Sequence, residues 1–220
     1  MHIPDGILPA TVSLAGYATT GAATWFSLRK INQRENPREG IPAASLLTAA
    51  FFVASWIHIP IPPTSVHLVL NGLLGAVLGW YAFPAILIGL FFQAVMFQHG
   101  GLTTLGVNAT MMGLPALLAH GIFRVRHVLA GKVDRQGRGF QAASGVLGFL
   151  AGAIGIGVAA GIGLVMLITT IPSHLDVQAE RASIVALTLA HVPLMAVEGA
   201  LTALVVLFLE RVRPELLENG

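Results

Sequence analysis

The chain of 220 residues is 55% hydrophobic and only 10% charged, less than half the charged fraction of about 25% found in soluble domains. That balance excludes a water-soluble globular protein and points to an integral membrane protein. The formal net charge of +2 is too small to suggest a nucleic-acid surface, and the lack of cysteine excludes a disulfide framework and a thiolate metal site.

The apolar runs predict one all-α membrane domain with seven transmembrane helices. Behind an N-terminal segment at residues 1–6, the predicted spans are 7–28, 41–57, 64–80, 82–97, 103–123, 142–170 and 182–209. A spanning helix takes about 20 apolar residues. The second, third and fourth spans are shorter, so six spans with one re-entrant segment is the competing arrangement. Pro42 suits a first helical turn, and the third and fourth spans are separated at Trp80–Pro84. In IHIPIPPTSVHLVLNG, Pro60, Pro62 and Pro63 stop a helix, and Thr64 or Ser65 is placed to cap the next. That reading sets His67 in a first helical turn.

Charge placement orients the chain. Arg29, Lys30, Arg34 and Arg38 fall in the first loop, and Arg124, Arg126, Lys132, Arg135 and Arg138 fall between the fifth and sixth spans. Arg211 and Arg213 follow the last span, and Arg181 alone falls on the opposite side. Cytoplasmic loops are the basic ones, so the N-terminus is expected outside and the C-terminus in the cytoplasm. Six spans would divide the basic loops between the two sides.

The N-terminus shows neither a basic leader nor a small-residue cleavage site, and His2 is too large for routine removal of Met1. A free amine, the next amide nitrogen and the imidazole of His2 form fused five- and six-membered chelate rings, nearly in one plane. A fourth nitrogen from another histidine would complete a square plane, which suits nickel(II) or copper(II), whereas zinc prefers a tetrahedron. His67 lies at the right depth. Asp5-Gly6 is placed to turn the segment inward, and Pro4 and Pro9 stiffen it.

Other polar residues gather in the outer half: Asn71, Gln93, Gln98, His99, Asn108 and His191. Polar groups in a membrane face a partner or a water-filled cavity. His58 reads as interfacial, His120 and His127 as solvated at the basic side, and His174 as an outer-loop residue without a paired ligand. His191 is equally a helix-to-helix hydrogen bond or a ligand, and Glu198 is a buried acid whose partner is not visible in the sequence.

MHIPDG at the start, VHLVLNGLLGAVLG and QHGGLTTLGVN together resemble the CbiM/NikM family, the substrate-binding (S) components of energy-coupling-factor transporters for cobalt and nickel. The resemblance covers residues 1 to about 120, and beyond 140 it extends only to hydropathy. It implies a seven-helix protein of the prokaryotic cytoplasmic (inner) membrane whose N-terminal loop enters the core. It implies a metal held by the Met1 amine, the amide and imidazole of His2 and the imidazole of His67, with Asn71, Gln93, His99 and Asn108 as surrounding groups. The VHLVLNG form favours Ni(2+) over Co(2+) as the transported ion. The implied partners are a transmembrane T component, two ATP-binding subunits and, in some systems, a small accessory membrane subunit. The small-residue faces Ala18/Ala22 and Ala50/Ala54 are spaced either for the T component or for internal packing.

GxxxxGK[ST] and HExxH are both absent from the sequence, so neither a P-loop ATPase nor a zincin is expected, and the chain is not read as an enzyme. Two other classes stay open. A single-chain secondary transporter would couple through Glu198 and His191, and a membrane scaffold would use the outer polar groups only to join helices.

Overall fold

The computed structural model describes residues 2–61, 64–130, 138–172 and 175–218. Met1, Pro62, Pro63, Lys132, Arg135 and His174 lie outside the described residues. Helix α1 (Ala10–Asn32) is followed by α2 (Ile41–Ala54), a hairpin of β1 (His58–Ile61) and β2 (Thr64–His67), α3 (Asn71–Leu78), a 3₁₀ turn at Gly79–Tyr81 and α4 (Ala82–Phe97). Then come α5 (Leu105–Ala130), α6 (Arg138–Thr169), α7 (Val177–Leu189), α8 (His191–Val212) and the short α9 (Glu215–Glu218). Helices dominate because apolar surroundings oblige each segment to satisfy its own backbone N–H and C=O groups. Among the described residues, four helical runs are long and apolar enough to cross a membrane: 71–97, 105–128, 139–169 and 177–212.

The first of these runs doubles back. α3 descends along α5, with Gly75 against Ala116 and the Trp80 ring on His120. α4 then climbs along α2, with Tyr81 on Gly40, Gly89 on Phe51 and Gln93 bonded to Ser55. Gly79, at φ 60°, makes the reversal. All eight residues of α3 are buried, yet at about 1.5 Å per residue it is far too short to cross a bilayer alone.

A helix beginning at Thr64 is not formed. Residues 64–67 are strand β2, paired antiparallel with β1 so that His67 lies opposite His58, and the helix starts only at Asn71. The small sheet is also the departure from an all-α fold. Pairing with β1 satisfies the backbone of β2, and residues 68–70 continue inward without regular structure. Non-helical backbone survives at such depth only when protein surrounds it. Val66, Val69 and Leu70 are at most 6% exposed.

Glu198 of α8 makes this possible. One of its carboxylate oxygens accepts the Val69 N–H at 2.5 Å, and both accept the Leu70 N–H at 3.0 Å. Leu70, at φ 56°, is the N-cap of α3 and contributes no side-chain bond of its own. A carboxylate from another helix therefore caps α3, where orphan amides and the positive end of the helix dipole favour an anion. The acid whose partner the sequence does not show has two backbone amides as partners.

The last predicted span, 182–209, divides at Ala190 into α7 and α8. Pro193, in the first turn of α8, cannot donate to the ladder and so favours a new helix start there. α8 packs on α6 through Glu198, Gly199 and Thr202, whereas α7 contributes no buried residue.

Candidate metal centre

The N-terminal segment lies in a cleft and is held there chiefly by the 98–108 segment. Ile3 is 4% exposed. The Asn108 side chain accepts the Ile3 N–H at 2.9 Å and donates to the Ile3 carbonyl at 3.0 Å, much as a neighbouring strand would. The Thr104 hydroxyl donates to the same carbonyl at 2.6 Å. The Asp5 carboxylate accepts the Leu102 and Thr103 N–H groups at 3.2 and 2.8 Å and the Thr103 hydroxyl at 2.5 Å. The Thr103 hydroxyl holds the Asp5 carboxyl below its usual range. Gly6, at φ 83°, completes the turn expected at Asp5-Gly6. A Cβ at Gly101 would stand 2.0 Å from the Asp5 carboxylate, so QHGGLTTLGVN is shaped as the receptor for the N-terminal segment.

This strapping brings the imidazoles of His2, His67 and His99 together, their ligating nitrogens within 4.8 Å of one another. The proton on each ring follows from its partners. Ser55 Oγ donates to the Phe52 carbonyl at 2.8 Å, so it must accept from Gln93 Nε2 at 3.1 Å. That turns Gln93 Oε1 toward His2 Nε2, 2.8 Å away, and Nε2 must carry the proton. His67 Nδ1 lies 2.9 Å from the Leu68 carbonyl, so it too is the protonated nitrogen. The remaining lone-pair nitrogens, His2 Nδ1 and His67 Nε2, face each other at 3.2 Å.

Two lone pairs aimed at one point repel unless a cation or a hydrogen-bond donor stands between them. With metal–nitrogen bonds of about 2.0–2.1 Å, a separation of 3.2 Å corresponds to adjacent ligands on one ion. Burial keeps the imidazole of His2 well below the usual histidine range and lowers that of His99 as well. Both are therefore neutral at pH 7, the form that binds metal.

The structure sorts the residues singled out in the sequence. Gln93 fixes the tautomer of His2, and Asn108 holds the backbone beside it. His99 is closer than a surrounding group: its ring centroid is 4.1 Å from that of His2, and its buried Nε2 meets no protein partner among the described residues. Asn71 donates instead to the carbonyls of Met112 and Gly155, joining α3 to α5 and α6. The hairpin carries His58, exposed, to 5.9 Å from the His67 ring. Sequence reasoning missed Ser55, an isolated hydroxyl in an apolar run that carries no signal of its own, and passed over Thr104 although it lies within QHGGLTTLGVN.

The profile of the CbiM family, described as the cobalt uptake substrate-specific transmembrane region, matches residues 2–216. A Haemophilus influenzae relative named for metal transport is 34% identical over 220 residues, covering 100% of this chain and 98% of that protein. The fused nickel transport protein NikMN of Rhodobacter capsulatus is 30% identical, over 99% of this chain and 64% of its own length. The cobalt transport protein CbiM of Geobacter sulfurreducens is 29% identical, over 99% of this chain and 61% of its own. A solved transition metal transporter has the same fold, with a TM-score of 0.72 at 24% identity, covering 100% of this chain and 96% of that one. The chain belongs to the CbiM family of cobalt and nickel transport membrane components.

Proposed function

We propose that this chain is the substrate-binding component of an ATP-driven energy-coupling-factor transporter that takes up nickel, with cobalt as the alternative ion. The observation that carries the reading is the pair of lone-pair nitrogens, His2 Nδ1 and His67 Nε2, facing each other at 3.2 Å. The His2 amide and the Met1 amine complete a square plane of four nitrogens, which favours nickel(II). His99 stands beside that plane as a reserve donor. The histidine end faces outward and the basic end faces the cytoplasm, with seven crossings between them, the third made jointly by β2, residues 68–70 and α3.

The relatives named for nickel and for cobalt transport support the substrate class. A T component and two ATP-binding subunits would supply the energy, with an accessory membrane subunit where the system has one. Ala54 is buried within the protein, whereas Ala18 and Ala22 are exposed on α1, so α1 offers the small-residue face to the T component. A secondary transporter coupled through Glu198 is disfavoured, because that carboxylate is already committed to the amides of Val69 and Leu70.

The test is nickel titration of the purified protein, followed by calorimetry and absorption. A diamagnetic square-planar spectrum is expected, and it is lost when the N-terminal amine is acetylated or tagged but not when the C-terminus is tagged. Full nickel affinity in the N-terminally tagged protein would overturn the chelate.

A further inference from the structure

A cavity of about 70 Å³ lies beside the N-terminal segment and borders one member of the histidine cluster, His2. Its walls include His2 and Ile3, Ala160 and Leu164 of α6, Thr188 of α7 and His191 of α8. Most of the lining is apolar, which makes the two polar groups of α7 and α8 conspicuous. His191 is 3% exposed. Its Nδ1 lies 2.8 Å from the Leu187 carbonyl and must donate to it, which leaves a lone pair on Nε2. That Nε2 is buried and meets no hydrogen-bond partner among the described residues. The Thr188 hydroxyl donates to the Ile184 carbonyl at 2.9 Å, so its oxygen can only accept a further bond.

A buried acceptor without a protein partner is costly unless a donor reaches it. A water needs only about 10–15 Å³ of such space and two or more polar partners. This cavity has the space, and it presents two acceptors. A water bound to both His191 Nε2 and Thr188 Oγ1 would give them its hydrogens, leaving its oxygen lone pairs for a group on the His2 side of the cavity.

We propose that His191 is a specificity-determining residue: with Thr188 it holds a water whose oxygen serves as an extra donor, out of the nitrogen plane, to the cation at His2. The proposal rests on the metal-site reading of His2 and extends it to ion choice. Square-planar nickel(II) is complete with four nitrogens, whereas cobalt(II) gains from a further oxygen ligand. The cavity is then the feature that lets a planar nitrogen site accept cobalt as well as nickel.

The test compares Ni(II) and Co(II) binding to the full chain and to three variants. His191→Leu removes the acceptor, Thr188→Val removes the second acceptor at nearly constant shape, and Ala160→Leu fills the cavity from the opposite wall. Each is expected to weaken Co(II) binding at least fivefold and Ni(II) binding less than twofold. The native Co(II) complex should show a ¹⁷O coupling in electron–nuclear double resonance after exchange into H₂¹⁷O, and the variants should lose it. Should His191→Leu fail to fold, the other two variants decide the matter. An unchanged Ni:Co ratio in Thr188→Val and Ala160→Leu, or no ¹⁷O coupling in the native complex, overturns the role of His191 while leaving the nitrogen site intact. A native chain that binds neither metal overturns both readings.

Discussion

The two ends of the molecule handle charge in opposite ways. At the histidine end the groups around the cluster are mostly neutral, and hydrogen bonds fix the proton on each of two rings. At the other end cations are tied down by other means. Arg34 stacks over Tyr81, whose hydroxyl donates to the Pro37 carbonyl. Arg126, 4% exposed, pairs with Glu210 at 3.4 Å and donates to the Leu217 carbonyl, joining α5 to α8 and α9. On the proposed reading, the difference teaches what a cation site in a membrane requires. Its donors must be neutral and held in place beforehand, and permanent positive charge must be kept at the far end.

Substitutions at the two ends should therefore fail in different ways. Arg126→Met leaves Glu210, a largely buried acid, without its cation. Loss of one partner of a buried pair costs about 3–5 kcal/mol, so thermal denaturation in detergent should show a large fall in stability. Nickel affinity of the protein that remains folded should change less than twofold. His67→Ala should do the reverse, weakening nickel at least tenfold, or about 1.4 kcal/mol, with little loss of stability. His120→Ala, near the basic end, should leave affinity almost unchanged. If Arg126→Met and His67→Ala lower affinity equally, the contrast between the ends is false.

The pH dependence sharpens the same contrast. Burial lowers the pKa of His2 and of His99, so both rings are largely neutral once the pH reaches about 6.5, the ordinary histidine value. The further climb of nickel affinity toward pH 8 must then come from the Met1 amine, near about 7.7–8.0, and from the His2 amide. Calorimetry should show affinity rising up to about a hundredfold per unit between pH 6 and 7.5, a factor of ten for each of the two protons released on binding. A flat profile from pH 5 to 8 would point to carboxylate ligands. The metal-free protein should also lose stability as pH falls below about 6.5, because the unfolded chain takes up protons that the buried rings refuse.

A smaller loss than at His67 should come from the chain that sets the tautomer. Gln93→Leu removes the acceptor for His2 Nε2–H and should weaken nickel about tenfold, the lower end expected for a residue that orients a metal ligand. Ser55→Ala, one step further out, should cost only a few-fold. A larger loss in Ser55→Ala than in Gln93→Leu would contradict the order of the relay.

The hairpin marks the limit of sequence reading most clearly. Prolines and a following Thr-Ser pair announce a helix start equally well whether the helix begins at Thr64 or at Asn71. The arbiter was Glu198, 128 residues from Leu70, which no local pattern reveals. The turn at Asp5-Gly6 was legible, since glycine at positive φ has a local cause. The carboxylate of Asp5 was not, because the amides of Leu102 and Thr103 meet it only after folding. His99 shows the same divide: its place in a polar motif was visible, but its distance from His2 was not.

By itself the sequence determined the solvent, most of the helical runs, the separation of the basic loops from the polar residues of the opposite end, and His2 and His67 as the nitrogen donors to consider. These follow from composition and from chemistry carried by single residues or short stretches. The tertiary structure alone decided that α3 and α4 double back, that Glu198 caps α3, that Ser55 and Gln93 set the proton on His2, and that His191 opens onto a cavity at its side. Each of these joins groups far apart in the chain, and a hydrogen bond exists only when both partners reach within about 3 Å. Local pattern can name the partners of such a bond, but only packing brings them together.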